Sequence, residues 1–318
     1  MILTFLLLFF LTLSYISYRI AFHVPDGYQE NIYDLPQGEQ YESSHELMTE
    51  LIREMDSIPF EPVFITSHDG LKLAARYYHV SDTAPLQIQF HGYRGSAIRD
   101  FCGGNKLARE MGQNTLVVDQ RAHGKSEGNT ITFGIRERFD CLAWVQYAAD
   151  RFGSQTPIIL AGVSMGAATV LMASELKLPG NVKCIIADCP FTSPEDIILK
   201  VGKENMHLPP FLARPFLRCG AALFGHFRLT ESSARKAVQN TQIPILLIHG
   251  SDDRFVPCSM SRELYASCTS SQKHLELFDD AAHGISYLLD PEKYAAVTNA
   301  FLEDILRQDN CPSAEKNI

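Results

Sequence analysis

The first eighteen residues, MILTFLLLFFLTLSYISY, carry no charge, and Arg19 is the first Lys, Arg, Asp or Glu in the chain. No basic residue precedes the run, and YRIAFHV after it offers no A-x-A cleavage pattern, which argues against a cleaved secretory signal. The run reaches the roughly 17 residues needed to cross a bilayer. Residues 1–22 are therefore expected to be an uncleaved membrane anchor, and Arg19 on its downstream side favours a cytoplasmic face for the rest.

Cysteine is sparse and badly spaced for metal chemistry. There are eight, with no CxxC pair, so neither a disulfide scaffold nor a zinc site is indicated. Cys184 and Cys189 lie too far apart along one strand-like run to bridge, and reduced core thiols are expected. No metal and no cofactor are called for. Basic clusters are also missing: 28 Lys and Arg face 37 Asp and Glu, net charge −9, with no basic run or interleaved aromatic patch. A nucleic-acid partner is excluded on that ground. No internal repeat or low-complexity tract is visible either.

What is present suits one large or two modest globular domains with a sizeable core: 318 residues, 46% hydrophobic. Residues 23–60 read as a polar, acidic linker that includes an amphipathic helix, SSHELMTELIREM. Beyond them, 61–318 alternate strand and helix patterns. PVFITS and LKLAARYYHV flank Asp69-Gly70 as an antiparallel hairpin. LQIQFH, TLVVD, PIILAG, CIIAD, PILLIH and HLELF follow as short strands, most of them continuously apolar, as strands covered on both faces must be. Ile135, Phe139, Leu142, Val145 and Ala149 mark one face of an intervening helix. The pattern predicts an α/β fold with a mostly parallel, doubly wound sheet. At about 191–241 the strand rhythm stops, and a helical cap insertion is expected there. Its apolar residues Leu208, Phe211, Leu212, Phe216 and Leu217 are expected to line a substrate pocket.

The chemistry centres on Gly162-Val163-Ser164-Met165-Gly166, which follows a predicted strand and opens a predicted helix. In that context G-x-S-x-G marks a serine lifted above a sheet by a sharp turn. A serine needs a histidine to take its proton and a carboxylate to orient the histidine. His283, in the loop after the last strand, is the candidate base; His91, His123 and His249 read as loop residues. For the acid, the loop after PILLIH offers Asp252 and Asp253. The chain order Ser, Asp, His favours Asp253, with Asp188 at the end of CIIAD as a rival. The Met165 and Tyr93 backbone N–H groups are candidates for an oxyanion hole.

HGYRG, DQRAHGKSEG, GVSMG, HGSDDRFVP and AAHG occur in an order that resembles the α/β-hydrolases, in their serine-hydrolase branch. The likeness spans about residues 61–306 and is similar to small bacterial, membrane-anchored or cytoplasmic hydrolases described as esterases, lysophospholipase-like or serine aminopeptidase-like. Arg121-Ala122-His123-Gly124 stands where the family often has RGHG. The resemblance implies the α/β-hydrolase fold, Ser164, Asp253 rather than Asp252, and His283 as the catalytic triad, and hydrolysis of a small-molecule acyl substrate. Carboxylic esters or thioesters are the expected substrates. The alternatives are a peptidase or an acyltransferase of the same fold, or a noncatalytic binding module. A peptidase would need a carboxylate for a charged amino terminus, and the cap offers Glu195, Asp196, Glu204 and Glu231.

Overall fold

The structure, a computed structural model, describes residues 1–25, 27–28 and 30–309. Helix α1 (Ile2–Ala21) leads into α2 (Glu39–Glu42) and α3 (His45–Ser57). Strands β1 (Glu61–Thr66) and β2 (Lys72–Tyr78) form the expected hairpin, and β3 (Leu86–Phe90), α4 (Ala97–Glu110), β4 (Asn114–Asp119) and α5 (Glu137–Phe152) follow. Then come β5 (Ile158–Val163), α6 (Met165–Ala173), β6 (Val182–Asp188), the cap helices α7 (Pro194–Met206) and α8 (Pro210–Leu223), and α9 (Ala234–Val238). The chain closes with β7 (Ile245–Gly250), α10 (Ser259–Ser267), β8 (Lys273–Phe278), α11 (Ser286–Leu289) and α12 (Pro291–Asp309).

All eight strands join one sheet in the order β1-β2-β4-β3-β5-β6-β7-β8. β2 runs antiparallel to both β1 and β4, and every later pair is parallel. β5 and β7 are apolar runs with nearly every side chain covered, as strands between two helical layers must be, and β3 is covered as well although it carries Gln87 and Gln89. The parallel strands end on the same edge, so the loops after β3, β5, β6, β7 and β8 gather there, where ligand chemistry collects in such sheets.

Helix α5 is rotated from the expected face. Cys141, Trp144, Val145 and Ala148 are the buried stripe, while Phe139, Leu142 and Ala149 are half-buried. Polar anchors account for the turn: the Glu137 carboxylate accepts from the Thr132 and Gly134 N–H groups, and Asp140 is paired with the buried Arg121 guanidinium. Buried charges need such partners, and satisfying them sets the helix's rotation.

The expected boundary at residue 22 falls inside packed structure. Phe22 is fully buried, its ring edge-on to Phe133 and Phe227, and His23 forms a β-bridge with Thr130.

Candidate active site

Ser164 sits between β5 and α6 with φ 56° and ψ −114°. A non-glycine residue held there costs on the order of 1–3 kcal/mol and persists only where its surroundings impose it. Its N–H donates to the Asp188 carbonyl at the end of β6 (2.8 Å), and its carbonyl accepts from the Ala168 N–H in α6 (3.0 Å). The flanking glycines are explained by contact. A β-carbon on Gly166 would collide with the Phe90 carbonyl, and one on Gly162 with the backbone of Gly166. At these two positions the turn leaves no room for a side chain.

His283, in the loop after β8, places Nε2 2.9 Å from Ser164 Oγ and Nδ1 2.6 Å from Asp253 Oδ2. Asp253 also accepts from the Phe255 and Val256 N–H groups, at 2.9 and 2.7 Å. Burial alone would push its carboxyl up, but the neighbouring imidazoles of His283 and His249 outweigh it and hold the group well below the usual carboxylate range. An ionised carboxylate only accepts, so His283 carries its proton on Nδ1 and offers a lone pair to the serine hydroxyl.

The three predicted side chains thus meet in one hydrogen-bonded line, and the other two aspartates do not join it. Asp252 pairs with Arg254 at the surface. Asp188 lies buried behind the serine turn, where one oxygen accepts from the Tyr294 hydroxyl and the other has no partner among the described residues. Burial pushes its carboxyl up to about 6. The Cys189 thiol lies 4.0 Å from His283 Nε2, and burial keeps it protonated.

His249 does more than end a strand. Its Nε2–H is shared between Asp253 Oδ2 (3.1 Å) and the Val256 carbonyl (2.8 Å), while Nδ1 meets Ser261 Oγ at 2.6 Å. Donating to Asp253, it fixes the carboxylate's orientation. In the sequence the adjacent glycine suggests only a turn, and the pairing with a residue four positions on is the available signal.

The loop after β3 carries Tyr93. A β-carbon on Gly92 would stand 3.4 Å from Ser164 Cβ, so the loop lies directly against the serine. Three groups hold it, His91 and His123 buried and Asp100 partly so. The Gly92 N–H donates to Asp100, the Arg94 N–H to His123 Nε2 (3.1 Å), and His91 Nε2 accepts from the Gln120 N–H (3.1 Å). Burial pushes His91 down to about 3, so it stays neutral and can accept. Among the described residues, neither the Tyr93 nor the Met165 N–H donates to a protein acceptor. Buried N–H groups are seldom left so.

Ser164 opens into a cavity of about 330 Å³ whose lining is almost wholly apolar. Here the sequence expectation needs correction: Leu208, Phe211, Leu212, Phe216 and Leu217 do not line it. The roof is α7, through Ile197, Val201 and Met206, and the walls are Tyr93, Phe133, Phe191, Phe255 and the last turn of α1, Ile20 and Ala21. α8 instead packs on α1, with Phe216 against Phe10, Leu217 in the core, and Phe211 and Leu212 exposed. The apolar stripe of α8 is plain in the sequence, but its partner is not. Nor does the sequence single out Tyr41: from the acidic linker it is buried against Ala282 and Ile285, the neighbours of His283.

Family models match two stretches. The α/β-hydrolase fold model covers residues 88–234, and the model described as serine aminopeptidase, S33, covers 216–291. The uncharacterized protein YqkD of Bacillus subtilis is 27% identical over 72% of this chain and 75% of its own length. The monoacylglycerol lipase of Mycolicibacterium smegmatis is 25% identical over 64% of this chain and 83% of its own. Among solved structures, the esterase Pf2001 of Pyrococcus furiosus superposes with a TM-score of 0.63 at 25% identity, covering 81% of this chain and 93% of that one.

Proposed function

The chain belongs to the α/β-hydrolase superfamily, and on that premise we propose that it is a serine hydrolase cleaving carboxylic ester or thioester bonds through an acyl-enzyme. One observation carries the reading: the hydrogen-bonded line Asp253, His283, Ser164 opens on an apolar cavity. Ser164 Oγ attacks the acyl carbonyl while His283 Nε2 takes its proton, and Asp253 holds the ring and offsets the charge that forms on it. The unpartnered Tyr93 and Met165 N–H groups receive the oxyanion. His283 then protonates the leaving alcohol or thiol, and water, activated by the same nitrogen, releases the acid.

Esterase and lipase relatives support ester chemistry over the peptidase alternative, and so do the cap carboxylates. Glu195 is held by Arg214 and Arg218, Asp196 by Arg235, Glu204 by Lys200 and Glu231 by Arg138. No acid lines the cavity among the described residues, so a charged amine would find no counter-ion. Helix α1, twenty residues and apolar enough to cross a bilayer, supports a membrane-anchored enzyme.

Turnover of p-nitrophenyl butyrate is expected to persist in a chelator and to stop when a fluorophosphonate labels Ser164. A Ser164→Ala protein that kept more than about a tenth of the rate would overturn the mechanism.

A further inference from the structure

Helix α1 reads as an anchor, yet one face of it is built into the body. Phe10, Ser14, Tyr18 and Ala21 recur at helical spacing along that face. The Phe10 ring lies 5.0 Å from Phe216, and Ser14 is fully buried where a β-carbon on Gly220 would strike its carbonyl. The Tyr18 hydroxyl meets Thr130 Oγ1 at 2.8 Å. Immediately beyond the helix, the Phe22 carbonyl accepts from the Ile131 N–H (2.8 Å). A simple tether needs none of this.

The helix ends at the serine. The last carbonyls of any helix lack partners within it. Here they are taken by the loop beside Ser164: the Tyr93 hydroxyl donates to the Ala21 carbonyl (2.9 Å), and Arg94 Nη2 donates to the Ile20 carbonyl (3.1 Å) and to that of His23 (3.3 Å). The Tyr93 ring stacks on Phe133, centroids 4.6 Å apart, and both face the cavity with Ile20 and Ala21.

We infer that helix α1 is a working part of the acyl site: Ile20 and Ala21 wall the cavity, and the Ala21 carbonyl moors, through the Tyr93 hydroxyl, the loop that offers an oxyanion N–H. This inference rests on the ester-hydrolase reading and names its substrate class. A cavity of about 330 Å³ lies near the lower end of the ligand-site range, and with a lining that is apolar except for Ser164 and Asn205 it takes one medium-length acyl chain and not two. Tyr93 is thereby both a candidate donor, through its backbone, and a positioning residue, through its side chain.

The test uses full-length protein in detergent micelles with p-nitrophenyl acetate and decanoate. Ala21→Trp fills the wall, and the decanoate-to-acetate ratio of kcat/KM is expected to fall at least about tenfold. Ile20→Trp repeats the test from the adjacent position if the first variant does not fold. Tyr93→Phe keeps the ring and the N–H but loses the bond to Ala21. One hydrogen bond's worth of positioning corresponds to a kcat loss of roughly three- to tenfold on acetate, with KM little changed. A bond that only stabilised the fold would lower Tm and leave kcat alone. A wild-type ratio in the folded tryptophan variant overturns the wall, and a wild-type kcat in Tyr93→Phe overturns the mooring. If the unaltered protein turned over neither ester, the hydrolase reading itself would fall and this inference with it.

Discussion

Two regions meet at Ser164, and they are constrained in different ways. The strand-end loops hold reacting atoms through backbone geometry: a serine at φ 56°, glycines whose β-carbons would collide, and a carboxylate that accepts two N–H groups and two imidazoles. The cavity wall, from α1, α7 and the loop residues Phe133 and Phe191, is made by apolar faces meeting one another. In the first region one residue type fits each position. In the second many would fit, and what matters is which face meets which.

The largest effects should therefore come from single atoms in the loops. Asp253→Asn keeps the shape of the line but disfavours the tautomer His283 needs, so kcat should fall about 10³- to 10⁴-fold by analogy with the serine-protease triad, with KM near wild type. Steady-state kinetics on a folded variant check this. A loss under about tenfold would remove Asp253 from the line and the first region from the comparison.

His249 sharpens it by one step. Replacing it with leucine removes a donor to an ionised acceptor, worth roughly 1.5–3 kcal/mol, so kcat should fall about ten- to hundredfold if the carboxylate's orientation depends on it. An unchanged kcat with lowered Tm would assign His249 to the fold alone.

The same contrast separates what is legible in the amino-acid sequence from what is not. All eight strands, the hairpin and the serine turn are legible because apolar runs and forced glycines are local signals. Ser164 and His283 stand out for the same reason, each lying at a strand end beside its own turn residues, whereas Asp253 is separated from Asp252 only by the family resemblance of HGSDDRFVP. The pocket is not legible. The α8 residues Phe211, Leu212, Phe216 and Leu217, with Leu208 just before the helix, are as apolar as the α7 face that roofs the cavity, and nothing local says that α8 meets α1. An uncharged N-terminal run likewise looks the same whether its end is free or built into a site.

Asp188 tests whether a buried carboxylate beside the serine belongs to the reaction or to the scaffold. Its folded pKa, pushed up to about 6 by burial, lies above the unfolded value near 4. The native state therefore prefers the neutral acid: below about pH 4 both states are protonated and nothing is lost, whereas above 6 both are ionised and the native state is penalised. Asp188→Asn should raise Tm at pH 7.5, with the gain shrinking as pH falls through 6 and vanishing near 4, while kcat stays within about threefold of wild type. A collapse of turnover in a folded Asp188→Asn protein, with Asp253→Asn still active, would move the acid to the end of β6.

The smallest effect is expected where the sequence points most strongly to a pocket. Phe211 is 71% exposed at the start of α8 and Phe216 packs against Phe10 of α1, and neither lines the cavity at Ser164. Phe211→Ala removes surface that is already outside the fold, and surface changes of that kind stay within about 0.5 kcal/mol. Its acyl-length profile on soluble esters should match wild type, whereas Val201→Phe in α7, which intrudes on the cavity, should shift the profile toward short chains. The pair is read on one series of p-nitrophenyl esters from acetate to decanoate. If Phe211→Ala moved the profile and Val201→Phe did not, the acyl chain would run under α8, and the wall would have to be redrawn from α1 and α7 to the helix whose sequence suggests it.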